Sequence, residues 1–215
     1  MSVRASVAAK ICGLSTPETL DAAVKFGAHF VGFVIFPKSP RHISTETMRT
    51  LGARVPKTVT RVGLFVDPDD ALIDEKLATG ALDMLQLHGS ETPERVAGLK
   101  ARTGKLVMKV IKVSAAGDVE RGIAAYATVA DWLMFEPAEG ILPGGNGKPF
   151  DWTILSGSKV PVPWMLAGGL NANNVAEAVR VTGARTVDVS SGVEATRGVK
   201  SIDLIRAFLE TVKAL

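Results

Sequence analysis

Several features that would assign the chain to common classes are missing from its 215 residues. No apolar run approaches the roughly 20 residues that cross a bilayer. The first ten residues lack the apolar core of a signal peptide, so we expect no association with a membrane. Cys12 is the only cysteine, which excludes an internal disulfide and favours a reducing compartment such as the cytoplasm.

Clustered charge, aromatic residues and histidine are also scarce. The formal net charge is only +3, the basic residues are scattered and there is one tyrosine, so we expect no nucleic-acid partner. The three histidines, His29, His42 and His88, do not have metal-ligand spacing, and we expect no metal. What the chain does have is a hydrophobic fraction of 47%, enough for a large core. A few cations directed at a small anionic substrate would explain the mild positive charge.

Strand-like and helix-like segments alternate along the whole chain. The predicted strands are residues 7–12, 30–36, 61–66, 84–87, 106–111, 132–135, 164–167 and 186–189. The predicted helices are residues 16–26, 44–53, 68–79, 93–102, 119–127, 151–155, 173–182 and 202–215, with Thr16 and Ser44 as N-caps. Eight such units predict one α/β domain over residues 1–215, a (β/α)8 TIM barrel with a closed parallel sheet. An open doubly wound sheet is the alternative.

Barrel closure makes a specific prediction about polar side chains. Strand alternation turns Lys10 in the first strand and Asp188 in the last strand towards the interior, and the two strands are neighbours only if the barrel closes. A buried lysine needs a partner, so we predict a Lys10–Asp188 ion pair. The same reasoning places the side chains of Gln86, Lys109 and Arg61 inside the barrel. It places His88 at the top of strand four. A polar network that only stabilises the barrel is the alternative to a functional site.

Two strand-to-helix turns near the end of the chain have the composition of an anion site. Gly168-Gly169 follows strand seven, and Ser190-Ser191-Gly192 follows strand eight. Glycines allow close backbone approach, and N–H groups at helix starts attract anions. The loops after strands seven and eight of such barrels often bind phosphate, so we predict a phosphate site here. The alternative is a pair of ordinary turns.

Chemistry in such barrels lies at the carboxyl ends of the strands, which directs attention to three residues. Cys12 ends strand one; it is either a small core residue or a thiol whose pKa a nearby cation would lower. Arg41 follows a loop stiffened by Pro37 and Pro40 and suits bidentate capture of a carboxylate, unless it is a solvated loop charge. Glu136 ends strand six at an apolar mouth, so we expect a raised pKa and a role as general acid.

A glycine-rich segment, residues 144–148, invites comparison with a nucleotide-binding P-loop. The comparison fails because Pro149 stands where a serine or threonine should follow the lysine, and the leading glycine is wrongly spaced. A lid or an additional phosphate contact is the better interpretation.

Taken together, these segments resemble those of a known family. The chain is similar to the phosphoribosylanthranilate isomerases of tryptophan biosynthesis across all eight strands. The motifs that support the resemblance are Lys10-Ile11-Cys12-Gly13-Leu14, Gly32-Phe33 with Pro37-Lys38-Ser39-Pro40-Arg41, Val62-Gly63-Leu64-Phe65-Val66, Leu85-Gln86-Leu87-His88-Gly89, Gly144-Gly145-Asn146-Gly147-Lys148 with Phe150-Asp151-Trp152, Ala167-Gly168-Gly169-Leu170-Asn171, and Val187-Asp188-Val189-Ser190-Ser191-Gly192-Val193-Glu194.

The resemblance implies an Amadori rearrangement without a cofactor, in which N-(5-phosphoribosyl)anthranilate becomes 1-(2-carboxyphenylamino)-1-deoxyribulose 5-phosphate. It implies that Cys12 is the general base and that Arg41 binds the anthranilate carboxylate. His88 and Asp188 are further candidates for substrate binding. The phosphate would contact the backbone of the loops after strands six, seven and eight, at Gly145, Gly147, Gly168, Gly169, Ser190, Ser191 and Gly192. We expect a small phosphoribosyl substrate as the partner, and a monomer or homodimer.

One position departs from the family pattern, because the acid that ends strand six is usually an aspartate and here is Glu136. An extra methylene moves the carboxyl by more than about 1 Å, and such a displacement can cost on the order of 100-fold in rate. We expect residues 137–143 to compensate; otherwise Glu139 or Asp188 is the acid, or the enzyme is slow. The histidine-pathway aminoaldose isomerase is disfavoured because strands one and five end in Cys12 and Ile111 instead of aspartates. A phosphosugar-binding barrel with little catalysis is the other alternative.

Overall fold

The structure, a computed structural model, describes residues 6–138 and 151–215. Eight parallel strands pair in chain order, and the last strand pairs with the first, which closes the barrel. This confirms the predicted closure and excludes the open sheet. The strands are β1 Ala8–Cys12, β2 Phe30–Ile35, β3 Thr60–Phe65, β4 Met84–Leu87, β5 Leu106–Val113, β6 Trp132–Pro137, β7 Trp164–Leu166 and β8 Thr186–Val189.

Helices alternate with the strands as predicted. They are α1 Pro17–Lys25, α2 Thr45–Arg54, α3 Asp70–Leu77, α4 Pro93–Thr103, α5 Ala116–Tyr126, α6 Val175–Thr182 and α7 Ile202–Lys213, with two short 3₁₀ helices, Trp152–Leu155 and Ser191–Val193. The N-caps Thr16 and Ser44 are confirmed, because each side chain accepts a hydrogen bond from the backbone N–H three residues later.

A small antiparallel hairpin between β8 and α7 was not predicted. Its strands are β9 Glu194–Thr196 and β10 Val199–Lys200, and its register places Lys200 opposite Glu194. Each strand is at most three residues long, too short for an alternating pattern that sequence reasoning could recognise.

The apolar core has two layers, as a barrel surrounded by helices requires. The outer layer packs the outward strand residues against the helices. The smaller inner layer fills the barrel with Phe30, Val62, Met84, Met108, Val110, Met134, Met165 and Ala167. Within the described residues, no helix is both long and apolar enough to span a membrane.

The inner layer corrects two predicted orientations. Met108 and Val110 point inwards, so Lys109 between them points outwards. Its ammonium bonds the carbonyl of Gly89 at 2.6 Å and the carboxylate of Glu91 at 2.7 Å. Val62 likewise points inwards, so its neighbour Arg61 faces outwards. The prediction that Lys109 and Arg61 face the interior was therefore wrong because it started from the wrong phase of each strand.

The outward face of β3 explains where the Arg61 side chain lies. Its guanidinium makes a salt bridge with Asp83, with Nη2 and Oδ1 2.7 Å apart. Gln86, in contrast, is buried inside the barrel as predicted, with its amide against the sulfur of Met134.

Candidate active site

A cavity of about 640 Å³ lies at the carboxyl ends of the strands. Most of the residues predicted to form a site line it, namely Cys12, Arg41, His88, Glu136, Gly168, Gly169, Asp188, Ser190 and Ser191. Three predicted residues, Gly145, Gly147 and Glu139, lie outside the described residues, as does most of the segment 137–143 that was expected to compensate for the glutamate. These nine described residues therefore lie together at one end of the barrel, whereas Gly192 is not among the residues that line the cavity. Their roles in binding and catalysis stay predictions.

The predicted Lys10–Asp188 ion pair is confirmed. The two residues are partners in the β1–β8 register, and the lysine Nζ lies 2.7 Å from Oδ1 of Asp188. Lys10 is completely buried. Burial lowers the pKa of Lys10, but attraction to Asp188 and hydrogen bonding outweigh burial, so its pKa lies above the usual value. The ammonium therefore stays charged beneath the cavity floor.

Cys12 lies at the end of β1, buried and beside this ion pair. Burial raises the pKa of the thiol more than the charges of Lys10 and Lys200 lower it, so the net pKa is raised. A nearby cation is present, as expected, but it does not make the free thiol acidic. The hydroxyl of Ser190 donates a hydrogen bond to the Cys12 carbonyl at 3.2 Å, so the thiol-bearing strand and the loop after β8 are in direct contact.

Arg41 is held by a carboxylate of the chain itself. Its Nε lies 2.6 Å from Oε1 of Glu194, and its Nη2 lies 2.8 Å from Oε2. This bidentate pair uses two of the three guanidinium nitrogens and leaves Nη1 outside the pair. The arginine still lines the cavity, but the direction of its guanidinium is set by Glu194 as well as by its proline-containing loop.

Lys200 connects this pair to the loop after β8. Its Nζ bonds the Ser190 carbonyl and Oε1 of Glu194, both at 2.8 Å, and the Ser190 hydroxyl at 3.2 Å. Burial raises the pKa of Glu194, but hydrogen bonds from Arg41 and Lys200 outweigh it and lower the pKa to about 2. Sequence reasoning missed Glu194 and Lys200, because their pairing depends on the hairpin that was not predicted.

Lys10, Cys12, Asp188 and Ser190, together with Arg41, Glu194 and Lys200, form one side of the site, which we call the β8–β1 wall. The two glycine loops lie next to it. Gly168 and Gly169 have φ angles of 94° and 67°, a region that disfavours side chains. Gly192 packs so closely against the carbonyl of Leu170 that a side chain would clash, which brings the loops after β7 and β8 together.

The opposite side, which we call the β4–β6 wall, consists of Gln86, His88, Lys112 and Glu136. Nε2 of His88 lies 2.6 Å from Oε1 of Glu136. Lys112 contacts the same carboxylate oxygen, and its Nζ lies 3.2 Å from Nε2 of His88. Sequence reasoning missed Lys112. Met108 and Val110 point inwards, and strand alternation from these two residues would have placed Lys112 on the same side.

The expected raised pKa of Glu136 was wrong. Burial does raise the pKa of this carboxyl, but the hydrogen bond with His88 and the charges of His88 and Lys112 outweigh burial, so the pKa is lowered. The expectation failed because the apolar neighbours in the strand indicate burial, whereas the compensating groups come from other segments, namely His88 directly after β4 and Lys112 in β5.

The β4–β6 wall also has polar atoms without partners. Among the described residues, Oε1 of Gln86 and Nδ1 of His88 are buried and make no hydrogen bond. Leaving such a group unpaired costs about 1–3 kcal/mol, which a bound ligand could recover. Both residues line the cavity.

The arrangement suits proton transfer on a small anionic molecule. A thiol and a carboxyl, each able to exchange a proton, face the same cavity from opposite walls. An arginine and two glycine turns offer donors for anionic groups at its rim.

Comparison with known proteins identifies relatives of the same kind over nearly the whole chain. Residues 9–211 match the family model described as N-(5'phosphoribosyl)anthranilate (PRA) isomerase. The N-(5'-phosphoribosyl)anthranilate isomerase of Paracoccus denitrificans (strain Pd 1222) is 52% identical over 212 residues, which are 97% of this chain and 98% of that protein. The protein of the same name from Paramagnetospirillum magneticum (strain ATCC 700264 / AMB-1) is 50% identical over 210 residues, 96% of this chain and 97% of that protein.

Solved structures agree with this likeness. The phosphoribosyl anthranilate isomerase of Thermotoga maritima superposes with a TM-score of 0.88 at 37% identity, over 97% of this chain and all of that chain. A phosphoribosyl anthranilate isomerase in complex with reduced 1-(o-carboxyphenylamino)-1-deoxyribulose 5-phosphate superposes with a TM-score of 0.83 at 35% identity, with the same coverage.

Proposed function

The chain belongs to the N-(5'-phosphoribosyl)anthranilate isomerase family and is an isomerase of tryptophan biosynthesis, and we propose that Cys12 and Glu136 carry out its two proton transfers. The reaction converts N-(5-phosphoribosyl)anthranilate to 1-(2-carboxyphenylamino)-1-deoxyribulose 5-phosphate. The observation that supports these roles is that the thiol and the carboxyl face one cavity together with Arg41 and the two glycine turns. Each end of the substrate then has a partner of suitable charge.

The first step needs an acid, and we assign it to Glu136. Protonation of the ribose ring oxygen breaks its bond to C1′, while the anilino nitrogen lone pair forms a cationic Schiff base. Glu136 must hold a proton to do this, and its pKa in the free protein is lowered. The bound substrate carries a carboxylate and a phosphate, and nearby negative charge raises the pKa of a carboxyl. The substrate thus promotes the protonated form of its own acid.

The second step needs a base, and we assign it to Cys12. The Schiff base withdraws electrons from C2′, so the Cys12 thiolate, formed when the thiol loses its proton to solvent, can take the C2′ proton and leave an enolamine, which tautomerises to the ketone. Burial raises the pKa of the free thiol. The cation that forms in the first step lies next to the reacting carbon and stabilises the thiolate, so the two steps occur in a fixed order.

The anionic ends of the substrate orient it between the walls. Arg41 would bind the anthranilate carboxylate through Nη1, because Glu194 already holds Nε and Nη2. Backbone groups at Gly168, Gly169, Ser190, Ser191 and Gly192 would receive the phosphate, together with Gly145 and Gly147 from the segment outside the described residues. His88 and Asp188 would complete the binding site. This arrangement is supported by the glycine φ angles and by the contact between the two loops.

The setting of the protein is also a proposal. A single cysteine favours a reducing compartment, and we infer a cytoplasmic enzyme. One related solved structure, 36% identical, is described as a monomeric form generated from a dimeric Thermotoga maritima enzyme. We therefore propose a monomer or homodimer with no nucleic-acid partner, which light scattering with and without added DNA would test.

The decisive experiment is turnover of N-(5-phosphoribosyl)anthranilate, followed by its anthranilate-type fluorescence. We expect Glu136→Gln to lower kcat by about 100-fold or more with little change in KM, because the amide binds but cannot donate a carboxyl proton. A Glu136→Gln enzyme with wild-type kcat would assign the acid to another group, with Asp188 and Glu139 as the next candidates to mutate. Binding without turnover by the wild-type chain would contradict the catalytic roles altogether.

A further inference from the structure

Two side chains, one directly after β4 and one in β5, meet at a single carboxylate oxygen of a residue in β6. Oε1 of Glu136 is bonded by Nε2 of His88 and by Nζ of Lys112, and these two nitrogens are themselves 3.2 Å apart. Lys112 and Glu136 are partners in the β5–β6 register, so the contact follows from strand pairing. The other carboxylate oxygen, Oε2, makes no hydrogen bond within the described parts of the chain. One oxygen is thus fixed by the wall and the other is left for a ligand.

We propose that Lys112 is a positioning residue that, with His88, clamps Oε1 of Glu136 so that Oε2 is presented to the substrate. This inference rests on the proposed role of Glu136 as the acid. A glutamate side chain has one more rotatable bond than an aspartate side chain, so its carboxyl can occupy a wider range of positions. Two donors on a single oxygen fix the last torsion of that side chain. The clamp thereby gives a long side chain the positional accuracy that proton transfer requires.

The exposure of the groups supports a positioning role for Lys112. Its side chain is 40% exposed, whereas that of Glu136 is 14% exposed. A lysine at the surface loses little hydration free energy, but its Nζ still reaches the less exposed carboxylate of Glu136. An isolated pair of this kind contributes at most about 1 kcal/mol to stability. We therefore expect the effect of Lys112 to appear in catalysis and not in the stability of the fold.

The chain offers a matched control. Lys100 makes a salt bridge with Asp131, with Nζ and Oδ1 2.7 Å apart, and its side chain is 43% exposed. The pair resembles Lys112–Glu136 in chemistry and exposure, but neither residue lines the cavity. Lys100→Met thus reports what loss of a half-exposed lysine does to this protein in general.

The first test compares steady-state kinetics of Lys112→Met and Lys100→Met. We expect Lys112→Met to lower kcat by about 10- to 100-fold with KM within about twofold, because the carboxyl remains but is no longer held in place. Lys100→Met should keep wild-type kcat. Thermal unfolding of each variant verifies that it is folded. Wild-type kcat in Lys112→Met, or equal losses in both variants, would overturn the proposal.

The second test is a double-mutant cycle with Glu136→Asp. The shorter aspartate withdraws its carboxyl from His88 and Lys112, so the clamp is already lost. We expect Lys112→Met to change kcat by less than about threefold in the aspartate background, although it changes kcat by at least about tenfold in the glutamate background. Equal effects in both backgrounds would contradict a clamp specific to the longer side chain.

The third test uses the pH dependence of kcat/KM. Lys112 and His88 contact Glu136 directly, and Lys38, Arg41, Asp188 and Arg197 are the other charged groups around the cavity. Removing the Lys112 charge should raise the pKa of the Glu136 carboxyl. The alkaline limb of the kcat/KM profile, along which this carboxyl loses its proton, should therefore move to higher pH. Lys112→Arg keeps the charge and should restore the limb and most of kcat. If this limb stays at the wild-type pH in Lys112→Met, the proposed contact between Lys112 and Glu136 is refuted.

The failure of this proposal differs from the failure of the proposed function. If Glu136→Gln keeps full kcat, Glu136 is not the acid and the catalytic assignment fails. If Glu136→Gln is inactive but Lys112→Met is fully active, Glu136 keeps its role and only the clamp is rejected.

Discussion

The two walls of the cavity are stabilised in opposite ways. In the β8–β1 wall, the buried charges of Lys10, Asp188, Glu194 and Lys200 each have a partner of opposite sign. In the β4–β6 wall, the imidazole of His88 and the ammonium of Lys112 share one carboxylate oxygen, and buried atoms of Gln86 and His88 have no partner among the described residues. The difference predicts that the buried charges of the first wall are satisfied before substrate binds, whereas the second wall still offers unpaired groups to the substrate.

The largest effect that we expect comes from the first wall. Cys12→Ser should lower kcat on the order of 10⁴-fold, because a serine hydroxyl is a far weaker base than a thiol and general base catalysis is lost. The Lys10–Asp188 pair stays intact, so the free energy of unfolding should hardly change. Single-turnover fluorescence measures the rate, and a loss of less than tenfold would remove Cys12 from the role of base.

The next largest effect that we expect is on stability, and it comes from breaking the Lys10–Asp188 ion pair. Lys10→Met leaves the carboxylate of Asp188 buried without its cation, and we expect the free energy of unfolding to fall by about 3–5 kcal/mol in urea titrations. Arg61→Met, which breaks the more exposed pair with Asp83, serves as the comparison and should cost at most about 1 kcal/mol. Similar losses in the two variants would show that burial does not distinguish the pairs.

A smaller effect concerns the acid side of the stability profile. Because folding lowers the pKa of Glu194 from 4.5 to about 2, its contribution to stability is complete above pH 4.5 and is lost as the pH falls towards 2. We expect the stability of Glu194→Gln to depend less on pH in this window than that of the wild type, as measured by chemical denaturation at several pH values. Parallel curves for the two proteins would contradict this prediction.

The smallest effect should come from the unpaired amide in the second wall. Gln86→Leu removes a buried carbonyl oxygen that has no partner, so the free energy of unfolding should stay the same or rise. If the substrate donates a hydrogen bond to this oxygen, KM should increase by roughly tenfold. A stabilised variant with unchanged KM would mean that the second wall is not completed by substrate at this position.

The contrast between the walls also explains what could be predicted from the sequence. The barrel, its closure and the Lys10–Asp188 pair follow from strand alternation and unit count, which are properties of local sequence and chain order. Arg61 and Lys109 were placed wrongly because charged residues within apolar strands do not reveal the phase of the strand when their partners, Asp83 and Glu91, lie in other segments.

The electrostatics of the site were less predictable than its membership. The pKa of Glu136 depends on His88 and Lys112, which lie on two other strands, and the orientation of Arg41 depends on Glu194, 153 positions away. Such pairings need the register of neighbouring strands and the short β9–β10 hairpin, and no local pattern encodes either. The two glycine turns after β7 and β8 could be located because glycines that follow a strand are a local signal, and their role in binding phosphate stays a prediction.

The Lys10–Asp188 pair joins residues 178 positions apart, and this separation has a consequence for the order of assembly. On the ribosome, Lys10 emerges long before Asp188 has been translated, and an ammonium cannot remain in an apolar interior without its counter-ion. The nascent first strand must therefore stay hydrated until the eighth arrives. A barrel that is closed by pairing its eighth strand with its first cannot acquire activity in parts, so the thiol that we propose as the base reaches its final surroundings only after the eighth strand has been made.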